Sequence, residues 1–218
     1  MKKQFQQRVI LFCGMFLAMF MLSGLAQAET YKENIHYQLV TPAQPTTTGD
    51  KIEVVEMFWY GCPHCNNLEP TVKRWLSKMP KEASFVRIPA IFRPSWELHA
   101  RAFYTAEILG VLDKTHDAMF EAIHQKKQHL STEQELMLFF QQHGVSNDDF
   151  KRVFHSFAVE AKVRRAKDMS QRYGIDGVPS LIVNGKYRTG SSLAGGNNNI
   201  FKVVNFLIEK EVAEKKKK

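Results

Sequence analysis

The stretch KIEVVEMFWYGCPHCNNLEP, residues 51–70, joins an apolar run to a pair of cysteines and then to a segment with helical spacing. Residues 51–60 are mostly β-branched, apolar or aromatic, which is typical of a central strand that is covered on both faces. After the cysteines, apolar residues recur at the intervals of an amphipathic helix, in which Pro70 predicts a kink. The stretch therefore predicts a buried strand that ends at two cysteines beside the N-terminus of a helix.

The segments on either side predict an α/β domain that is interrupted by helices. Residues 29–50 form a polar lead-in with one short strand, and residues 83–92 form a second long strand. From residue 95 to residue 173 the apolar spacing is helical throughout, in about five helices. Two short runs then flank Asn184-Gly185, the signal of a type I′ hairpin, and an amphipathic helix follows. This order indicates an α/β layer architecture with an all-helical insertion.

The composition and charge of the chain restrict its class. Of the 218 residues, 44% are hydrophobic and 24% are charged, which suits a packed core and argues against global disorder. The net charge of +8 includes basic residues near both ends and a basic cluster, residues 162–167, on a predicted helix. We expect no nucleic-acid partner, because the recognition motifs of nucleic-acid-binding domains are missing from the sequence.

The first 28 residues have the pattern of an export signal. A basic segment, MKKQFQQR, precedes an uncharged apolar run, and Ala26-Gln27-Ala28 supplies a small-x-small cleavage site. We expect cleavage after Ala28 and release into an oxidising compartment. The apolar run, residues 9–25, is at the lower limit of a membrane span, so an uncleaved anchor is the less favoured alternative.

Cleavage would leave two cysteines for local chemistry, because the third, Cys13, lies in the predicted signal. A structural zinc site needs four ligands, which one cysteine pair with His64 between its members does not supply, so we expect no metal. A c-type haem requires a histidine directly after the second cysteine, where Asn66 stands. A disulfide across two residues closes too short a loop to stabilise the fold much. Redox chemistry remains, with no cofactor other than a Cys62–Cys65 disulfide.

The position of the pair predicts how its two thiols differ. At a helix N-terminus, free N–H groups and the helix dipole favour negative charge, so we expect a lowered pKa for Cys62. A protonated His64 would stabilise this thiolate further, and Cys65 would be the buried resolving partner. Only the reduced form has a thiolate to stabilise. A pKa about three units below the ambient pH would favour the dithiol by ~4 kcal/mol, on the order of 90 mV toward oxidising power.

Residues 53–70, EVVEMFWYGCPHCNNLEP, and residues 177–187, GVPSLIVNGKY, resemble the DsbA family of periplasmic thiol–disulfide oxidoreductases. The resemblance extends from about Glu33 to the last helix. It implies a thioredoxin fold, a central mixed β-sheet flanked by helices, with an all-helical insertion domain. On this scheme the thioredoxin-like domain consists of residues 29–94 and 167–218, the latter with the basic C-terminal tail. Residues 95–166 are the insertion.

The resemblance also implies roles for residues beside the cysteines. The dipeptide Pro63-His64 is diagnostic within the superfamily, since reductases of the thioredoxin type usually carry Gly-Pro there. Val178-Pro179 corresponds to the cis-proline of the family, which faces the cysteines and presents backbone to the substrate strand.

Two acids complete the implied site. Glu56 matches a buried acid that moves protons to and from Cys65, and Glu69 matches a second acid with a weaker claim. Asn66 stands where many relatives have an aromatic residue, and the lysine that pairs with the buried acid in some members has no evident counterpart. The histidines of the helical segment show no ligand spacing and receive no predicted role: His99, His116, His124, His129, His143 and His155.

The function implied by the resemblance is that of a periplasmic oxidase that introduces disulfide bonds into reduced exported proteins. It also implies a membrane partner of the DsbB type, linked to quinone, that reoxidises the cysteines. A disulfide isomerase or reductase on the same scaffold is the alternative enzyme. Dimeric isomerases carry an N-terminal dimerisation domain, for which residues 29–50 are too short, and tend to have threonine where Val178 stands. A non-enzymatic metal-binding or chaperone module is the remaining alternative.

Overall fold

A computed structural model describes residues 31–217, so the predicted signal and Cys13 lie outside the described residues. These residues form a five-stranded sheet with the strand order β1-β5-β4-β2-β3. Only β2 and β3 are parallel, and the other pairs are antiparallel, so the sheet is mixed as expected. The strands are β1 (Gln38–Leu39), β2 (Ile52–Phe58), β3 (Ala83–Pro89), β4 (Ser180–Val183) and β5 (Tyr187–Gly190).

Strand β2 lies inside the sheet, between β3 and β4, and all seven of its residues are buried. Val55 and Met57 belong to a core that extends into the helical segment. Ile52 and Val54 belong to a second core on the other side of the sheet. Because successive residues of a strand point to opposite faces, the near-continuous apolar run is what a doubly covered strand needs. The prediction of a central buried strand is confirmed.

Five consecutive helices separate β3 from β4, which confirms the predicted order of elements. No helix of the described residues is long and apolar enough to cross a membrane. The helices are α1 (Pro63–Leu76), α2 (Pro94–Ile108), α3 (Leu112–His124), α4 (Glu133–Gln142), α5 (Asn147–Phe154), α6 (Phe157–Arg172) and α7 (Asn197–Lys215).

Helices α1 and α7 pack together on the second core. The Trp75 ring of α1 stacks on Phe201 of α7 with centroids 4.7 Å apart, and its Nε1–H donates to Asn205 Oδ1 at 2.8 Å. Leu68 and Val72 of α1 are fully buried in the same core. These contacts anchor the helix that carries the cysteines.

The hairpin between β4 and β5 has the predicted turn. Asn184 and Gly185 have φ angles of 51° and 65°, and the Lys186 N–H donates to the Val183 carbonyl at 3.0 Å, as a type I′ turn requires. Gly185 also allows a close approach, since a Cβ there would lie 2.0 Å from the Gln44 carbonyl oxygen. The hairpin places β4, and the residues that precede it, beside β2.

Candidate active site

The two cysteines lie where β2 ends and α1 begins. Cys62 is the N-cap residue of α1, and its N–H donates to the Trp59 carbonyl at 3.0 Å. Pro63 is the first helical residue, a position where the missing N–H of proline costs nothing and its fixed φ favours the helix. Both thiols are free, with Cys62 8% exposed and Cys65 fully buried. The sequence prediction placed both residues correctly in the fold.

Several donors surround the Cys62 sulfur and lower the pKa of this thiol to about 6. The strongest is a hydrogen bond from the Cys65 thiol, followed by the backbone N–H groups of Cys65 and His64 and then the charge of His64, against the opposing effect of burial. The sequence predicted the direction of the shift from the helix N-terminus and His64. The structure adds Cys65 as the principal donor and gives the charge of the exposed His64 side chain the smallest part.

Cys65 has the opposite environment. Burial raises its pKa well above the usual range, and the hydrogen bond to Cys62 and the charge on Cys62 raise it further. A thiol without accessible surface loses the hydration of its anion and therefore keeps its proton. Cys62 therefore ionises readily, whereas Cys65 stays protonated and donates a hydrogen bond to it.

The loop before β4 closes the other side of the pair. The Val178–Pro179 peptide bond is cis, as the resemblance implied. The Cys62 thiol donates to the Val178 carbonyl oxygen at 3.4 Å. Pro179 and the exposed His64 line one cavity of about 350 Å³ that extends to Ser191 and Arg188. A polypeptide lying in this cavity would therefore pass next to the Cys62 sulfur.

A buried pair of carboxylates lies beneath the cysteines. Glu56 of β2 is fully buried and pairs in register with Arg87 of β3, whose Nε–H donates to Glu56 Oε2 at 3.0 Å. The Arg87 Nη2–H donates to Glu69 Oε2 at 3.2 Å. Arg87 therefore stands in for the lysine that has no evident counterpart in the sequence, and it pairs with both acids.

Burial raises the pKa of Glu56 to about 7, against the charge and hydrogen bond of Arg87, and the charge of Glu69 adds to the increase. Glu56 Oε1 is buried and has no hydrogen-bond partner. A carboxyl group with one free buried oxygen and a pKa near neutrality is suited to carry a proton.

The structure adds His116, a residue to which the sequence gave no role. His116 of α3 is buried, with Nε2 3.3 Å from Glu69 Oε1 and Nδ1 2.9 Å from the Tyr60 hydroxyl. His116 lies 47 residues after Glu69, in a segment whose histidine spacing suggests no site. Asn66, which departs from the family pattern, is half-buried and lines a groove of about 660 Å³ with Glu69 and Asp117.

Aromatic residues pack together beside the cysteine motif. The Trp59 and Trp96 rings stack with centroids 4.2 Å apart. Within residues 31–217, no group of three or more His, Cys, Asp or Glu side chains is arranged to hold a metal ion.

A cysteine pair on a helix N-terminus, opposite a cis-proline loop and above a buried acid, defines the class: a thioredoxin-fold thiol–disulfide oxidoreductase.

Comparison with known proteins identifies the family within this class. Residues 53–207 match the DSBA-like thioredoxin domain family, and the chain belongs to the DsbA family. It is 42% identical to the thiol:disulfide interchange protein DsbA of Pseudomonas aeruginosa, over 92% of this chain and 96% of that protein. It is 44% identical to the Azotobacter vinelandii protein of the same name, over 77% and 78%.

Solved structures agree with this assignment. The crystal structure of Pseudomonas aeruginosa DsbA superposes with a TM-score of 0.81 at 41% identity, covering 85% of this chain and 97% of that one. The oxidoreductase DsbA of Xylella fastidiosa gives 0.76 at 31% identity, covering 82% and 96%. The chain is therefore a DsbA-type enzyme of thiol–disulfide interchange with a thioredoxin-like fold.

Proposed function

We propose that Cys62 is the sulfur through which this enzyme oxidises exported proteins. A substrate thiolate bonds to Cys62 Sγ and breaks the Cys62–Cys65 disulfide, so that Cys65 leaves as a thiolate and takes up a proton. A second substrate thiolate then attacks the substrate sulfur of the mixed disulfide and releases Cys62 as a thiolate. The substrate loses two electrons and gains a disulfide, and the cysteine pair gains both electrons.

The observation that carries this proposal is the difference between the two thiols. With a pKa of about 6, Cys62 is thiolate in about nine-tenths of molecules at pH 7. A stable thiolate leaves readily, and stabilisation that exists only in the reduced form favours the dithiol product. Cys62 keeps some exposed surface whereas Cys65 has none. Cys62 is therefore the sulfur that a substrate reaches, and Cys65 is its resolving partner.

We assign the proton that Cys65 receives to Glu56. Because the pKa of Glu56 is about 7, its carboxyl group is protonated in about half of molecules at neutral pH. A negative charge on Glu56 raises the pKa of Cys65, so the loss of a proton by the acid strengthens its uptake by the thiolate. The acid and the thiol thus form a donor and acceptor pair.

The substrate strand is assigned to the cavity at Val178-Pro179. The Val178 carbonyl oxygen lies 3.4 Å from the Cys62 sulfur, so the backbone of this loop is within hydrogen-bond distance of the reacting atom. His64, which lines the same cavity, contributes charge beside the Cys62 thiolate. Pro63 starts α1 directly after Cys62 and orients the free N–H groups of the first turn toward the sulfur.

The proposed setting is the periplasm, reached after removal of residues 1–28. The substrates would be reduced exported proteins, and a membrane partner of the DsbB type would reoxidise the pair. No cofactor beyond the Cys62–Cys65 disulfide is required. We also propose residues 95–166 as the insertion between the two parts of the thioredoxin-like domain, residues 29–94 and 167–218, because α2 to α6 separate β3 from β4.

The redox equilibrium with glutathione tests the direction of electron flow. We expect the mature protein to remain reduced at glutathione ratios that leave a thioredoxin-type pair oxidised, with a potential above about −200 mV. The oxidised protein should also restore activity to a reduced, unfolded test enzyme that needs its disulfides. A potential near about −270 mV, together with no such restoration, would assign the chain to reduction instead.

A further inference from the structure

The buried ring of His116 contacts the acid pair from the helical segment, although nothing in the proposed function uses it. His116 is 6% exposed. Phe58 and Phe120 pack edge-on against it, each with ring centroids 5.3 Å away. Its two ring nitrogens nevertheless have polar partners, Glu69 and the Tyr60 hydroxyl. A polar ring in an aromatic core is costly unless both nitrogens are satisfied, so these bonds define its orientation.

The partners also determine which nitrogen of His116 carries the proton. A carboxylate has no proton to give, so Nε2–H donates to Glu69 Oε1 at 3.3 Å. Nδ1 is then the acceptor, and the Tyr60 hydroxyl donates to it at 2.9 Å. Burial keeps the pKa of Tyr60 well above its usual value, so this hydroxyl retains its proton.

His116 meets charged groups from several elements. Glu69 faces it from α1, Arg87 from β3 and Asp117 from its own helix, and the loop residue Tyr60 faces Nδ1. Burial, with the charge of Arg87, lowers the pKa of His116 despite the opposing effect of Glu69. The ring is therefore neutral near pH 7 and donates a hydrogen bond without adding a second cation to the cluster.

The hydrogen bonds to the two acids are unequal. Glu69 accepts from both Arg87 and His116, one bond at each oxygen. Glu56 accepts only from Arg87, and its Oε1 has no partner. Two carboxylates share one guanidinium, so the cluster has a net negative charge when both acids are ionised and tends to bind one proton. That proton goes to the acid whose anion has fewer donors.

We propose that His116 is a positioning residue that holds Glu69 as the carboxylate, so that the one proton of the acid pair lies on Glu56. This inference rests on the proposed role of Glu56 as the proton donor of Cys65. When the Cys65 thiolate forms, the Glu56 O–H bond breaks and an S–H bond forms at Cys65, leaving both acids as carboxylates beside Arg87. A proton from solvent then restores Glu56. A helix of the insertion thereby selects which acid serves the cysteines.

Two substitutions at His116 separate the hydrogen bond from the packing. His116→Gln can place an amide N–H near the position of Nε2 and should keep the donor to Glu69. His116→Phe keeps an aromatic ring but removes the donor. If the Phe variant does not fold, His116→Asn, whose amide is too short to reach Glu69, gives the same expectation.

Carboxyl ¹³C signals of Glu56 and Glu69, recorded against pH in the reduced protein and assigned with Glu→Gln variants, report where the proton lies. In the wild type and in His116→Gln, we expect the Glu56 signal to move near pH 7. The Glu69 signal should stay fixed over that step, because both of its oxygens already accept hydrogen bonds. In His116→Phe both signals should move together, because loss of a hydrogen bond to a carboxylate shifts the proton toward Glu69 by about tenfold or more.

A fixed Glu69 signal in the folded Phe or Asn variant, with Glu56 titrating as in the wild type, would overturn the role of His116 and leave that of Glu56 intact. An unmoving Glu56 signal between about pH 5 and pH 9 in the wild type would remove Glu56 as the proton donor, and this inference with it.

Discussion

Cys62 and Cys65 share the first turn of α1, yet the regions around them act in opposite directions. Around Cys62, a neighbouring thiol, backbone N–H groups and His64 lower the pKa to about 6. Around Cys65, burial and negative charge raise the pKa far above the usual range. The hydrogen-bond donors around each sulfur, and not its position on the helix alone, therefore determine which thiol ionises. In the proposed function, exchange with substrate takes place at the partly exposed Cys62 and proton transfer at the buried Cys65.

The largest expected effect is on the reactivity of each thiol alone. Cys65→Ser leaves Cys62, and Cys62→Ser leaves Cys65, so alkylation by iodoacetamide at pH 7 compares the two regions directly. We expect Cys62 to react at least about 100-fold faster, because only the thiolate is nucleophilic and Cys65 is buried and protonated. Alkylation rates within about tenfold of each other would mean that the two thiols do not differ in ionisation and exposure as described.

The second effect is on stability, through Glu56. Its folded pKa of about 7 lies above the ordinary value of 4.5. The folded state therefore binds the proton more tightly than the unfolded state, and the associated stability is complete below about pH 4.5 and is lost as the pH rises to about 7. The change amounts to about 3 kcal/mol.

Glu56→Gln should remove most of this loss and raise the free energy of unfolding at pH 8. Urea unfolding of the reduced proteins at several pH values measures it. The control is Glu209→Gln, an exposed glutamate on α7, which reports the general effect of deleting a carboxylate. If the wild type and Glu56→Gln lose stability equally between about pH 5 and pH 8, Glu56 does not carry the buried proton.

The third effect is on the pKa of Cys62 when its neighbour Cys65 is changed. Cys65→Ala removes the S–H group that contributes most to the lowered pKa of Cys62, whereas Cys65→Ser keeps a hydroxyl donor. We expect the pKa of Cys62 to rise by about one unit or more in the Ala variant and by less in the Ser variant. Thiolate absorbance against pH gives both values. Equal values in the two variants would mean that the Cys65 thiol does not act as a donor.

The smallest effect concerns His64. Its side chain is exposed and its charge is the weakest of the causes that lower the pKa of Cys62. Because water and salt screen exposed charges, His64→Leu should raise the pKa of Cys62 less than Cys65→Ala does, and the difference from the wild type should shrink at high salt. The same absorbance titration, at low and high ionic strength, measures this. If His64→Leu raised the pKa of Cys62 more than Cys65→Ala does, the His64 charge would contribute more than the Cys65 hydrogen bond, contrary to this account.

Sequence pattern was sufficient for the fold and for the positions of the cysteines. The apolar run of β2, the Asn184-Gly185 turn and the long helical period each reflect a local rule of spacing or backbone conformation. The role of Arg87 could not be predicted, because its pairing with Glu56 depends on the register of two parallel strands. His116 was missed because only the packing of α3 brings it to Glu69. Contacts between distant segments leave no local spacing to detect.

The most direct test is an ultraviolet titration of the reduced wild-type protein, following thiolate absorbance. One thiolate should form with a midpoint at about pH 6, and the second should not form below about pH 10 while the protein stays folded. Two thiolates that form together near about pH 8.5, as in free cysteine, would contradict the division of roles between Cys62 and Cys65.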